Sequence, residues 1–191
     1  MITILGIIVW ALAVGIGFAY LTDYGTRPNQ LAHAPPHLPV DILGMPPNKL
    51  PTLLLFAHPH CPCTHATMAE LARLIAHNRG QVNVHVLFYR PLEKPREWAE
   101  ADLWQKAKKL PDVTVSTVSE LDLLRFGVST SGQTLVYDAN QKLVFSGGIT
   151  SARGHEGDNT GRAAITTYLQ TGQLTTQQTP VFGCSITEDQ D

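Results

Sequence analysis

The N-terminal end of the chain is set apart by one long run of apolar positions. Residues 2–21 contain no charged side chain. This is about the length that a helix needs to cross a bilayer, and Tyr20 and Tyr24 stand where interfacial aromatic residues are expected. We therefore predict a transmembrane anchor over residues 1–21. A cleaved signal peptide is the alternative, but no Lys or Arg precedes the run, and the run is longer than a typical signal core.

The pattern changes twice more along the chain. Residues 22–50 are rich in proline and show no sustained periodicity, which is typical of a semi-extended linker that holds a domain off the membrane. Residues 51–171 carry the periodic patterns of a folded domain. A C-terminal tail, residues 172–191, follows it and contains the third cysteine, Cys184.

Within the domain, apolar runs alternate with amphipathic stretches. Apolar or β-branched runs bounded by turn residues predict strands, over residues 52–57, 82–89, 112–116, 134–137 and 142–146. Apolar residues at helical spacing predict helices, over residues 64–78, 96–110, 119–126 and 160–171. The polar turn between the last two strands indicates a hairpin. A cysteine pair follows directly after the first strand.

This pair, Cys61 and Cys63, lies where a strand ends and a helix begins. The unpaired N–H groups and the dipole at a helix start stabilise a thiolate and lower its pKa. Pro62 suits the first helical position, where its missing N–H costs nothing. The residue types therefore favour sulfur chemistry over the alternative, in which both cysteines pack as small apolar residues. A strained Cys-Pro-Cys bridge would be easily reduced.

The element order and the cysteine pair resemble the thioredoxin superfamily over about residues 50–171. Residues 126–128 (Phe-Gly-Val) followed by residues 134–138 (Thr-Leu-Val-Tyr-Asp) are similar to that superfamily's segment before and within its third strand. The membrane anchor and the Cys-Pro-Cys motif are most similar to the RedB-type thioredoxin-like proteins. The resemblance implies an α/β thioredoxin-like fold, a central mixed β-sheet flanked by helices. It also implies an exposed nucleophile at Cys61 and a resolving thiol at Cys63.

Two departures from that superfamily bear on function. The usual Cys-x-x-Cys is shortened by one residue, and Gln133 stands nearest the position of the usual cis-proline. In the superfamily this proline helps to bind peptide substrates and keeps metal away from the dithiol. Its absence brings ordinary disulfide reductase activity into question and favours metal capture.

Further candidate residues follow from the topology that the resemblance implies. The loop at residues 150–159 returns to the edge that carries the cysteines, so His155 is predicted to act as a proton shuttle or metal ligand, or to be no more than a loop residue. The residues from Gly172 to Cys184 could span up to about 40 Å when extended. We therefore expect Cys184 to reach the Cys61/Cys63 edge as a second resolving thiol or a third soft ligand, the alternative being a lone thiol.

Three functions remain open at this point. The first is a membrane-tethered thiol–disulfide oxidoreductase that needs no cofactor and acts on an exported or membrane protein carrying a thiol or disulfide. The second is a metallochaperone that binds copper or zinc through Cys61, Cys63, His60 and His155. The third is a structural interaction domain whose cysteines brace a loop. The cysteine chemistry favours a single-pass membrane protein with its domain on the periplasmic or other extracytoplasmic side.

Charge excludes one class of partner. The chain has 191 residues and a formal net charge of −2, with no basic block. Nucleic acid is therefore not an expected partner.

Overall fold

The computed structural model describes residues 2–29, 33–43 and 49–187. The helices are α1 (Ile2–Thr26), α2 (Val40–Leu43), α3 (Thr64–His77), α4 (Arg96–Ala99), α5 (Asp102–Lys108), α6 (Glu120–Phe126) and α7 (Thr160–Thr171). The strands are β1 (Thr52–Ala57), β2 (Asn83–Tyr89), β3 (Val113–Val118), β4 (Thr134–Tyr137) and β5 (Leu143–Gly147). Helix α1 is exposed along its length and is long and apolar enough to cross a membrane.

The five strands form one mixed sheet in the order β3-β2-β1-β4-β5. Strand β1 pairs parallel with β2 and antiparallel with β4, β2 pairs parallel with β3, and β4 pairs antiparallel with β5. Helices cover both faces of the sheet. This is the arrangement that the resemblance implies, and the predicted thioredoxin-like fold is confirmed.

Strand β1 lies at the centre of the hydrophobic core, and all six of its residues are buried. Its side chains alternate between two clusters, because successive residues of a strand point to opposite faces. Leu53 and Leu55 pack with residues of α3, α5 and α7. Leu54 and Phe56 pack with residues of α6. Burial on both faces explains why the sequence of β1 is a continuous apolar run rather than an alternating one.

One predicted helix proves to be two. The pattern over residues 96–110 predicts a single helix, but Ala101 has an extended backbone (φ −70°, ψ −168°) that separates α4 from α5. Trp98, in α4, contacts the ring of His60, with centroids 4.9 Å apart, while Trp104, in α5, packs 5.3 Å from Phe88 in the core.

Helix α3 begins at Thr64, as predicted, but the place of Pro62 differs from the expectation. Pro62 lies in the turn before the helix rather than at the first helical position. The backbone N–H of Thr64 donates to the carbonyl of Cys61, 3.1 Å away, and the N–H of His65 donates to the carbonyl of Pro62, 3.3 Å away. These bonds span three residues, so the Cys-Pro-Cys segment is a tight turn that leads into α3.

The predicted linker is not a free tether over the residues that the structure describes. Helix α1 continues past residue 21 to Thr26. Beyond it, the backbone N–H of Leu38 donates to the carbonyl of Gln141, 2.9 Å away, and the Leu38 side chain is buried in the core. Tertiary pairing and burial therefore fix a segment in which local periodicity gives no signal.

Candidate functional site

Three thiols meet at the end of β1. The sulfur atoms of Cys61, Cys63 and Cys184 all lie within 4.8 Å of one another, and the Sγ atoms of Cys61 and Cys184 are 3.0 Å apart. All three cysteines, each within the described part of the chain, stand as thiols. The expectation that Cys184 reaches the edge of Cys61 and Cys63 is confirmed. The chemical role of Cys184 stays a prediction.

Ser131, in the loop before β4, positions the turn that carries Cys61. Its hydroxyl accepts a hydrogen bond from the backbone N–H of His58, 2.8 Å away. The same hydroxyl lies 2.7 Å from the hydroxyl of Thr64, the first residue of α3. Ser131 is buried, so these bonds tie both ends of the Cys-Pro-Cys turn to one point of the fold.

The same loop holds the segment that carries Cys184. The backbone N–H of Ser131 donates to the carbonyl of Cys184, 2.9 Å away, and the N–H of Ile186 donates to the carbonyl of Ser129, 3.0 Å away. A Cβ atom on Gly183 would lie 1.9 Å from the carbonyl oxygen of Ser131. Only glycine fits at position 183 while the two backbones remain this close.

Asn29 and Arg153 hold the tail from its other side. The backbone N–H of Asn29 donates to the carbonyl of Val181, 3.0 Å away, and the Asn29 side-chain amide donates to the carbonyl of Gly183, 2.9 Å away. The guanidinium of Arg153 also donates to the Gly183 carbonyl and, at 3.0 Å, to the side-chain oxygen of Asn29. The residue before Cys184 is therefore fixed by contacts from two distant parts of the chain.

The clustering of the thiols shifts their acidities in opposite directions. Hydrogen bonds from the thiols of Cys184 and Cys63 lower the pKa of Cys61 well below that of an ordinary thiol, and burial only partly offsets this effect. The pKa of Cys184 is raised, because an ionised Cys61 accepts a hydrogen bond from its thiol and repels a second negative charge. For Cys63, hydrogen bonding to Cys184 lowers the pKa, but the neighbouring Cys61 and burial together raise it. The cluster therefore favours one thiolate, on Cys61.

We expect that Cys184→Ala will raise the pKa of Cys61 toward the ordinary thiol value, because the variant removes its strongest hydrogen-bond donor. In the wild-type chain the Cys61 thiolate should persist as the pH falls below the ordinary thiol range, since its folded-state pKa is depressed. In the variant it should be lost at higher pH. The pH dependence of thiolate ultraviolet absorbance measures the shift. Ser185→Ala is the matched control, and an unchanged profile in Cys184→Ala would contradict the assignment.

The expected roles of Cys61 and Cys63 need correction. Cys61 was predicted to be the exposed nucleophile, but its residue surface is 0% exposed, while Cys63 and Cys184 are both half-buried. The tail that carries Cys184 lies against Cys61, and packing by a segment so distant in sequence leaves no signal near the cysteine pair. A protein partner can therefore reach Cys63 or Cys184 more readily than Cys61.

The two histidines predicted as metal ligands do not join the sulfur cluster. Among the described residues, the group whose ligand atoms come together contains the three cysteines and neither His60 nor His155. The ring of His60 packs on Trp98 instead. His155 lies on the exposed surface of its loop. The residues Cys61, Cys63, His60 and His155 therefore do not come together as one cluster, and the third member of the observed cluster is Cys184.

A buried carboxylate explains where the loop at residues 150–159 goes. Glu70 of α3 is fully buried and forms ion pairs with Arg73 and Arg162, the latter at 2.8 Å. Glu70 also accepts from the backbone N–H of Gly157, 2.8 Å away, and from the side-chain amide of Asn159, 3.2 Å away. The second half of the loop is thus bound to α3 and α7 rather than lying over the thiols.

Asn159 and Arg153 define the two ends of that loop. Asn159 is the N-cap of α7, and its side chain accepts from the backbone N–H of Arg162. Arg153 is the loop residue that reaches the site.

The sequence did not predict the structural roles of Asn29, Glu70 and Ser131. Glu70 and Arg73, three residues apart on one helix, give only the weak signal of a surface ion pair.

Gln133 fills the place of the usual cis-proline. The described residues contain no cis peptide bond. The buried side chain of Gln133 donates to the carbonyl of Gly127, 3.2 Å away, and its oxygen accepts from the N–H of Ser129, 3.4 Å away. Gln133 therefore shapes the loop that holds Ser131 through side-chain hydrogen bonds.

Comparison with known proteins agrees with this fold. A hypothetical protein from Sinorhizobium meliloti is 19% identical over 87% of this chain and 99% of that chain, with a TM-score of 0.58. An uncharacterized conserved protein from Geobacillus kaustophilus is 17% identical over 87% of this chain and 94% of its own, with a TM-score of 0.55. A SCO1/SenC family lipoprotein from Bacillus anthracis is 14% identical over 65% of this chain and 82% of that chain, with a TM-score of 0.48.

No family model matches the chain, and no curated protein matches it. The sequence identities to the matching structures are low, so the similarity supports the fold alone. The sheet order and the helices on both of its faces define a thioredoxin-fold protein. In this chain the fold carries three clustered thiols and follows an apolar helix that is consistent with membrane anchoring.

Proposed function

We propose that the chain is a membrane-anchored thiol–disulfide oxidoreductase that exchanges disulfides with an exported or membrane protein. The observation that carries this proposal is the convergence of three thiols at the start of α3, with Cys61 favoured as the thiolate. A half-buried sulfur, on Cys63 or Cys184, contacts the partner, and the Cys61 thiolate resolves the mixed disulfide. As part of this proposal, we assign the chain to the RedB-type thioredoxin-like proteins that its sequence resembles.

The test uses the full chain in detergent micelles, equilibrated with glutathione buffers of graded ratio. We expect three alkylatable thiols in the reduced chain and one in the oxidised chain, because a single internal disulfide forms. If all three thiols remain alkylatable at every ratio, the proposal fails.

We also propose that the domain lies on the extracytoplasmic side, where disulfides persist. Labelling of Cys63 with a membrane-impermeant maleimide, in sealed vesicles of known orientation, tests this location. No labelling from the outer face would contradict that location.

A second candidate function is transfer of a soft metal ion, because three sulfur ligands lie within 4.8 Å. Cu(I) suits thiolate ligands, and Zn²⁺ suits them when a fourth ligand completes a tetrahedron. Cys61, Cys63 and Cys184 would hold the ion.

We expect about one Cu(I) per chain in a competition titration against a chelator, since one trio of thiols can hold one ion. Cys184→Ala should lose this binding. His155→Ala is the matched control and should retain it, because His155 lies outside the sulfur cluster. Equal loss in both variants would show that the trio is not the ligand set.

A further inference from the structure

The segment that carries Cys184 is held beside Cys61 by an isolated β-bridge. Thr130 and Ser185 form an antiparallel bridge, flanked by the backbone hydrogen bonds that join Ser131 to Cys184 and Ile186 to Ser129. Main-chain pairing of this kind is how proteins hold extended peptide segments at a defined register. Here the register brings the Cys184 sulfur to 3.0 Å from that of Cys61.

Contacts on both sides of the tail fix this register. Asn29 and Arg153 bind the carbonyl of Gly183 on one side, and Ser131 approaches Gly183 on the other. Val181 and Ile186, which flank the segment, are both buried. The tail is therefore an integral part of the site, and Cys184 needs no large movement to reach Cys61.

The competing bridge, between Cys61 and Cys63, is hindered by the residue that separates the two cysteines. Pro62 has a φ angle fixed by its ring, and a disulfide across one residue must bend away from the geometry that disulfides prefer. A bridge from Cys61 to Cys184 joins segments that are distant in sequence and already adjacent in space. The Cys61–Cys184 disulfide can therefore form without the small strained ring that a Cys61–Cys63 disulfide requires.

We infer that the redox-active pair of this protein is Cys61 and Cys184, with Cys63 remaining a thiol throughout the cycle. This inference rests on the proposed function and specifies its chemistry. In the oxidised protein, a partner thiolate attacks the half-buried sulfur of Cys184. The bond between that sulfur and the partner forms, the bond between Cys61 and Cys184 breaks, and its electron pair leaves on Cys61 as a thiolate.

The second half of the cycle releases the partner. A second thiolate of the partner attacks the partner's own sulfur in the mixed disulfide, and Cys184 leaves and takes a proton from solvent. The partner loses two electrons in forming its disulfide, and the protein gains them in reducing its own. A small-molecule disulfide then reoxidises Cys61 and Cys184 and is itself reduced to two thiols, which closes the cycle. The depressed pKa of Cys61 speeds the first step, because a thiol of lower pKa leaves faster.

Disulfide mapping on the full chain in detergent micelles tests the inference. The reduced protein is oxidised with glutathione disulfide, alkylated, digested and analysed by fragment-ion mass spectrometry. We expect a Cys61–Cys184 bridge as the main product, with Cys63 alkylated. Cys63→Ala should form the same bridge. A main product that joins Cys61 to Cys63 would overturn the inference.

Gly183→Ala tests the docking of the tail while leaving all three thiols in place. Because the added methyl group meets the Ser131 carbonyl, we expect the ratio of the Cys61–Cys184 bridge to the Cys61–Cys63 bridge to fall roughly tenfold. Ser185→Ala is the matched control and should keep the wild-type ratio. An unchanged ratio in Gly183→Ala would show that docking of the tail does not favour the Cys61–Cys184 bridge.

The two levels of the proposal fail in different ways. If Cys61 and Cys63 pair and the protein still exchanges disulfides with glutathione, the choice of pair is wrong and the oxidoreductase function stands. If no internal disulfide forms in the wild-type chain or in any variant, the oxidoreductase function is wrong as well.

Discussion

Cys61→Ser is expected to slow exchange with a disulfide substrate sharply and to leave much of the protein as a mixed disulfide. A serine hydroxyl cannot attack a disulfide at neutral pH, so resolution of the bond that a half-buried cysteine forms with the substrate is left to a neighbouring thiol of raised pKa. Turnover should fall well below that of the wild-type chain. The intact mass of the variant, after exposure to glutathione disulfide, should show bound glutathione.

Ser185→Ala is again the matched control, because it lies next to Cys184 and removes no sulfur. The wild-type chain and this control should form an internal disulfide and retain little bound glutathione. Turnover by Cys61→Ser at the wild-type rate would show that Cys61 is not the resolving thiolate.

Glu70→Gln is expected to lower the free energy of unfolding by about 3–5 kcal/mol, as removal of one partner from a buried ion pair typically does. Glu70 is 0% exposed and is the common partner of Arg73, Arg162, Gly157 and Asn159. Its loss leaves the charge of Arg162 poorly compensated and releases the loop that leads to α7. Urea unfolding of the full chain in micelles, followed by tryptophan fluorescence, measures the change.

The chain offers a matched control for Glu70. Glu156 pairs with the same arginine, Arg73, at 2.8 Å, but its side chain is 50% exposed. We expect Glu156→Gln to cost no more than about 1 kcal/mol, as is usual for exposed pairs. Equal losses in the two variants would show that burial of Glu70 does not set the strength of the network.

Local patterns in the sequence were sufficient for most of the fold. The bounds predicted for β1 and α7 are those observed, because a buried central strand and a capped amphipathic helix leave strong periodic signals. The place of Pro62 was not fixed by the sequence pattern, since proline suits either a first helical position or the turn that precedes it.

The site was predictable only in part, because its geometry depends on contacts between residues distant in sequence. The chain length between Gly172 and Cys184 allowed the tail to reach the cysteine pair, and it does. The same reasoning could not show that the tail would bury Cys61. His155 was expected near the thiols, but Glu70 binds the loop at Gly157 and Asn159 and so directs it toward α3 and α7.

The contacts of Arg153 also link the thiols to the apolar N-terminal helix, α1. Its backbone N–H donates to the carbonyl of Gly25, 2.9 Å away in the last turns of α1, and its guanidinium lies 5.0 Å from the ring centroid of Tyr24. The same side chain binds the residue before Cys184. A soluble fragment that starts near Leu50 lacks Tyr24, Gly25 and Asn29, so we expect its Cys184 to be alkylated faster than that of the full chain.

If α1 spans the bilayer, these contacts also fix the height of the thiols above the lipid. A partner must then present its cysteine close to the headgroups, and a disulfide carried far above the surface would not be reached. Selection of partners would then depend on how far the partner's cysteine lies from the membrane surface as well as on the partner's sequence. Inserting a rigid spacer between a model disulfide and its own membrane anchor should therefore slow exchange as the spacer lengthens.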